Sequence, residues 1–461
     1  MQMLGSVKIK LLCSAAVVMM IVAVLPLVGV TESSADNREG VVLDFGYWDS
    51  EWIDMSLTAG TDGNDVLDRV CSLKGYEVTR LKDGSVYSVN NQTNLVGVKW
   101  GMYILSGDEW VETDPSSIDA GDYRVITWAR TSGPDALVPG TDYTGFGYYG
   151  YASDGKSLKT GKELRVVTLA PSVTETVCSV GGTDLIIGTD LYSDYPEKIV
   201  QGHEDGTIAL TGGYTDPSFE WIIKLGPDIV FCDGSVGQQV TVADKLRKSG
   251  VDCVVLYDAV DVAAMYNNLW IAASALGMSY NANQVIQALR ATLSDVSGIA
   301  GDTNKRVFTA LSSDPSPWTS GSYTFLSDLV SNAGGRNIFD SQSSGWFMVS
   351  KEQIYAKQPQ IIIIISTEEI TDDEGYEKLL ESLDPMWRNT PAFRSGNVYV
   401  FSGEAADILQ RPGPRLAEAA ELLCKILNPD AFTDYDPLDM VPWYIGDDYR
   451  EYLKYQREVS V

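Results

Sequence analysis

The chain has 461 residues, room for about three domains or lobes, and its 44% apolar and 21% charged residues exclude wholesale disorder. Its 63 acidic residues against 34 basic ones give a net charge of −29, a balance that repels nucleic acid and anionic lipid. A single histidine, His203, excludes any site built from several imidazoles, and six scattered cysteines without a C-x-x-C exclude a zinc knuckle or a dithiol motif.

Lys8 and Lys10 precede an uncharged run over residues 11–30, followed by the small and polar TESSADN. This pattern predicts export, with residues 1–36 serving either as a cleaved signal peptide or as a retained N-terminal membrane anchor. Everything after it is expected outside the membrane, at the cell surface or secreted. Without Cys13, five cysteines remain, an odd number that cannot all pair within the chain. Four of them sit in apolar contexts (TVCSV, IVFCD, VDCVVL and ELLCK), where a cysteine acts as a small buried hydrophobe.

Residues 37–131 read as a β-rich domain. Short alternating segments such as VVLDFGYW, WGMYIL and YRVITWAR are separated by turn dipeptides, with one helix expected over 65–73. Residues 132–163, rich in Gly, Ser, Tyr and Asp, read as a linker. From Arg165 the pattern changes to short apolar runs (RVVTL, DIVFC, DCVVLY, IIIIIS, VYVFS) that alternate with amphipathic segments. That alternation predicts an α/β fold with parallel sheets covered on both faces. A helical stretch over 262–297, broken near Gly277-Met278, divides the region into two Rossmann-like lobes. The expected bounds are 164–260 and 301–430, with linking helices over 261–300 and a C-terminal extension over 431–461.

The lobes repeat each other. Glu220 leads FEWIIKLGPDIVF and Glu352 leads KEQIYAKQPQIIII, each followed by Ile at +2, Pro at +7 and Ile at +9. ETVCSVGG and DLVSNAGG match as well, each ending a helix on a glycine pair. Two such lobes leave a crevice at the carboxyl ends of their strands. The loops expected to overhang it carry Tyr192, Tyr195, Tyr214 and Tyr257 in the first half, and Trp318, Tyr323 and Trp346 in the second. A crevice of rings suits a large flat ligand held by stacking. No catalytic motif and no metal-ligand set is legible, so neither enzyme activity nor a resident cofactor is expected. His203, in QGHEDG, reads as an exposed loop residue.

Over residues 165–429 the chain resembles the helical-backbone class (class III) of ABC-transporter substrate-binding proteins, which carry cobalamin and ferric siderophores. The resemblance lies in RVVTLAPSVTETVCSVGGTDLIIGTDLYSDYP, in PSFEWIIKLGPDIV and MVSKEQIYAKQPQIIII, and in TSGSYTFLSDLVSNAGGRNIF. It implies capture of a ligand between the lobes and delivery to a permease, with Glu220 and Glu352 docking onto it, one per lobe. The linking helix implies small closure. Tyr192, Tyr195, Tyr214, Tyr257 and Trp346 match ligand-contact loops of the cobalamin carriers, although those have tryptophan where this chain has Tyr214. Arg411, in LQRPGPR, matches a cleft-lining segment, while Arg415 is expected to cap or pair structurally.

DVLDRVCSLKGYEV, KWGMYILSGDEW and SSIDAGDYRVITWAR resemble the small domain of transcobalamin and intrinsic factor. Together these likenesses imply a monomeric carrier of a corrinoid, that is cobalamin, for an ABC importer. The alternatives are a ferric-siderophore or haem carrier, a chelate-processing enzyme on the same scaffold, and a surface adhesion protein.

Overall fold

The computed structural model describes residues 40–46, 49–95, 98–106, 109–123, 125–131, 164–256, 259–276, 278–342, 345–432 and 440–457. The leader, the linker and Tyr257 fall outside the described residues. The strands are β1 (Gly40–Gly46), β2 (Asp49–Asp54), β3 (Val78–Arg80), β4 (Val86–Val89), β5 (Gln92–Thr93), β6 (Lys99–Ser106), β7 (Glu109–Glu112) and β8 (Val125–Thr131) in the amino-terminal part. They form a five-stranded sheet ordered β2-β1-β8-β6-β7 and a three-stranded sheet β3-β4-β5.

One helix, Gly63–Lys74, covers the larger sheet. Asp62 caps it by accepting from the amides of Asn64 and Asp65, and Gly75 ends it in the left-handed conformation. Its Val66, Leu67 and Val70 pack with Val41, Leu43, Trp100 and Trp128. Gly121 is required because a Cβ there would lie 2.6 Å from the backbone of Ala59. In β1 the expected in–out alternation is lost, since residues 40–45 are all buried. Val41 and Leu43 face the helix, whereas Val42 joins the core of the lobes. The neighbouring β2 packs against the linking helix Ser279–Ala300.

The first lobe contains β9 (Val166–Thr168), β10 (Ile186–Thr189), β11 (Ala209–Leu210), β12 (Ile229–Asp233) and β13 (Asp252–Leu256), all parallel in the order β11-β10-β9-β12-β13. The second contains β14 (Lys305–Ala310), β15 (Trp318–Ser320), β16 (Gly335–Asn337), β17 (Trp346–Met348), β18 (Ile361–Ile365), β19 (Val398–Phe401) and β20 (Tyr444–Ile445). Its parallel sheet runs β16-β14-β18-β19-β20, with β15 and β17 forming a separate two-stranded antiparallel sheet. Strand order reverses between β9 and β12 in one sheet and between β14 and β18 in the other, and each reversal opens a crevice at the strand ends. The five isoleucines of β18 are all buried, as a strand covered on both faces requires.

Helices Val262–Leu276 and Ser279–Ala300 link the lobes. One hydrophobic core passes through them, from Val166 and Phe231 to Ile361 and Ile363. The matched glycine pairs behave alike, with Gly181 and Gly334 both at positive φ.

The segment expected to be a C-terminal extension instead completes the second lobe. β20 pairs with β19 at the sheet edge. The buried pair Glu421–Lys425 (2.8 Å) is satisfied by residues 452–455: Glu421 accepts from the amides of Lys454 and Tyr455, and Lys425 donates to the Tyr452 carbonyl. His203 also departs from its expected place. It lies half-buried in the last turn of helix Glu197–Asp205, 2.8 Å from Thr189 Oγ1, and burial lowers its pKa. All five described cysteines are free thiols, four of them buried, with burial raising the pKa of each.

Candidate functional site

A cleft of about 770 Å³ opens between the two lobes at their strand ends. Tyr192, Tyr214, Tyr323, Trp346 and Arg411 line it, together with Phe325, Asn268, Asp233, Ser235 and Gln410. Tyr192 is presented by the turn after β10. Its amide donates to Asp190 Oδ1 (2.7 Å), and Ser193 Oγ donates to Asp190 Oδ2 (2.5 Å). Burial raises the Asp190 pKa, and these donors oppose the rise. The result is a fixed turn with a ring 60% exposed to the cleft.

Tyr214 is held by buried Gln239, whose amide donates to the carbonyls of Tyr214 and Leu169, both at 2.9 Å. Its hydroxyl donates to Asp233 Oδ2 (3.1 Å). On the opposite wall, Trp346 packs on Phe325 with ring centroids 6.2 Å apart. Tyr323 is 75% exposed and adopts φ 58°, a left-handed conformation that costs a bulky residue about 1–2 kcal/mol.

Two expected ring positions lie elsewhere. Trp318 sits on the same face of the β15–β17 sheet as Trp346, since it pairs with Met348 while Ser320 pairs with Trp346, but it is exposed and lies outside the cleft lining. Tyr195 is half-buried between the guanidiniums of Arg415 and Arg450, 4.2 and 5.2 Å from its ring centroid. Tyr257 falls outside the described residues.

Behind the cleft runs an ionic network that sequence reasoning missed. Glu175, on helix Pro171–Val177 of the first lobe, is buried and accepts two bonds from Arg415 of the second, Nε at 2.8 Å and Nη2 at 2.6 Å. Arg411 Nη1 lies 3.2 Å from the same carboxylate and 2.5 Å from Asp194. Further out, Tyr449 donates to Glu418, and Arg450 pairs with Glu404 at 2.8 Å. Burial lifts the Asp407 carboxyl to about 7 despite Arg411 Nη2 at 3.0 Å, and it raises the Glu418 pKa as well. The only sequence signal was the pairing expected of Arg415.

Glu220 and Glu352 occupy equivalent places. Each is exposed and second in a seven-residue helix, Phe219–Leu225 or Lys351–Lys357, capped by Ser218 or Ser350. Among the described residues no group of His, Cys, Asp and Glu is arranged to hold a metal ion, and no helix is long and apolar enough to cross a membrane.

The profile of the periplasmic binding protein family matches residues 166–405. An uncharacterized ABC transporter substrate-binding lipoprotein of Bacillus subtilis, YvrC, is 26% identical over 275 residues, covering 59% of this chain and 82% of its own. The vitamin B12-binding protein of Photorhabdus laumondii is 28% identical over 266 residues, covering 58% and 88%. Among solved structures, the periplasmic haem-binding protein HutB of Vibrio cholerae superposes with a TM-score of 0.50 at 17% identity, over 58% of this chain and 99% of that one, which shows a shared fold.

Proposed function

The chain belongs to the periplasmic binding protein family, and on that premise we propose that it captures a corrinoid, cobalamin, between its lobes and delivers it to the permease of an ABC importer. One observation carries the reading: the cleft is walled by Tyr192, Tyr214, Tyr323, Phe325 and Trp346, and its lining guanidinium, Arg411, is already engaged by carboxylates. Rings stack on a flat macrocycle, and Asn268, Gln410 and Ser235 offer hydrogen bonds to its side-chain amides. A strained Tyr323 kept at the cleft mouth fits a contact role. The name of the Photorhabdus relative and the sequence resemblance of residues 37–131 to the small domain of transcobalamin support the same reading.

Haem or another ferric chelate is the second reading, favoured by the three phenol groups of Tyr192, Tyr214 and Tyr323, which are competent ligands for ferric iron. Titrating the protein with cobalamin, haem and a ferric siderophore, followed by tyrosine and tryptophan fluorescence, separates the two. Micromolar or tighter binding of cobalamin alone is expected. Preference for haem with a phenolate absorption band would replace the corrinoid reading, and binding of none would end the transport reading.

Delivery assigns Glu220 and Glu352 to permease docking, where two separated carboxylates steer and orient the encounter. Because both are exposed and neither lines the cleft, Glu220→Lys with Glu352→Lys is expected to abolish uptake in cells while leaving ligand affinity within about twofold. Lost affinity in the purified variant would refute the docking role. The shared core through the linking helices supports a small closure rather than a wide clamshell motion.

A further inference from the structure

We infer that Asp194 is a specificity-determining residue, which turns the cleft against anionic ligands by occupying Arg411. Arg411 is the one Lys or Arg among the described residues lining the cleft. A guanidinium has five N–H groups, four of them on its two terminal nitrogens. Here Nη1 lies 2.5 Å from Asp194 Oδ1 and 3.2 Å from Glu175 Oε1. Nη2 lies 3.2 Å from Asp194 Oδ2 and 3.0 Å from Asp407 Oδ2. The fork that would grip a ligand carboxylate is therefore filled, and by a bidentate partner from the opposite lobe.

The three carboxylates are not equivalent. Glu175 is buried and shared with Arg415, while Asp407 stands in its own lobe with its carboxyl raised by burial to about 7. Asp194 is the exposed member, two residues after the cleft residue Tyr192 on the same turn. A ligand carboxylate approaching Arg411 must displace Asp194 and meets its charge on the way, whereas a neutral amide meets neither obstacle. For unit charges about 8 Å apart at an effective dielectric near 20 the discrimination would be roughly thirtyfold, and solvent screening of the exposed Asp194 lowers it to about tenfold.

The test rests on the corrinoid reading for its first pair of probes. Wild type and Asp194→Asn are titrated with cobalamin and with its monocarboxylic acid, the same corrinoid with one side-chain amide hydrolysed. Asparagine keeps the size of the side chain and removes its charge. Wild type is expected to favour the amide by about tenfold, and Asp194→Asn to bring the ratio close to one while holding cobalamin affinity within about threefold. An unchanged ratio, or an equal loss for both probes, overturns the assignment, because a merely structural role would move both alike. If wild type binds neither corrinoid, the corrinoid reading fails by itself. The charge filter is then judged on an iron porphyrin with its two propionates free or amidated, by the same change of ratio. A wild-type protein that binds none of the four overturns both.

Discussion

Trp346→Ala is expected to weaken cobalamin binding by roughly 30- to 150-fold, about 2–3 kcal/mol, while Trp318→Ala leaves it within about threefold. The two side chains share one face of the two-stranded β15–β17 sheet, so the comparison holds residue type constant and varies position. Trp346 lines the cleft against Phe325 at 38% exposure, whereas Trp318, 50% exposed, lies beyond it. A ring removed from a cleft wall forfeits both the area that a bound macrocycle would cover and the stacking geometry. Equal losses at the two positions would show that the β15–β17 sheet, and not the cleft, is what the ligand reads. Fluorescence titration of both variants decides between these outcomes.

Glu175→Ala is expected to destabilise the protein by about 3–5 kcal/mol, the usual cost of leaving buried cations without their partner. Glu175 stands at the centre of the lobe-to-lobe network, bidentate to Arg415 and within reach of Arg411. Its loss leaves the buried Arg415 with the Tyr195 ring at 4.2 Å and with Glu404 and the Tyr449 hydroxyl, each 3.5 Å away. Urea unfolding followed by tryptophan fluorescence gives the number. A change below about 1 kcal/mol would mean that water reaches Arg415 and that the Glu175–Arg415 pair contributes little to holding the lobes together.

The two lobes could be read from the chain itself because the signals that specify them are local. A strand covered on both faces must be an unbroken apolar run, as in IIIIIS. A helix is favoured to end on a residue that tolerates positive φ, which put Gly181 and Gly334 in equivalent places. The covering helix Gly63–Lys74 obeys the same local rules, with Asp62 capping its start and Gly75 at positive φ after its end. Aromatic residues beside Gly, Ser and Asp marked the cleft loops, though not which rings enter the cleft: Tyr195 and Trp318 have the same sequence context as Tyr192 and Trp346.

Tertiary structure alone decided the charges. Glu175 and Arg415 are 240 residues apart, and Asp194 and Arg411 are 217 apart, so no periodicity or spacing relates them. Nor does local sequence reveal that residues 440–457 close the second sheet and satisfy Glu421. A hydrophobic pattern records which face of an element is buried, because burial acts on each side chain separately. An ion pair exists only when two distant segments arrive at one place, and the chain encodes that meeting in the fold as a whole.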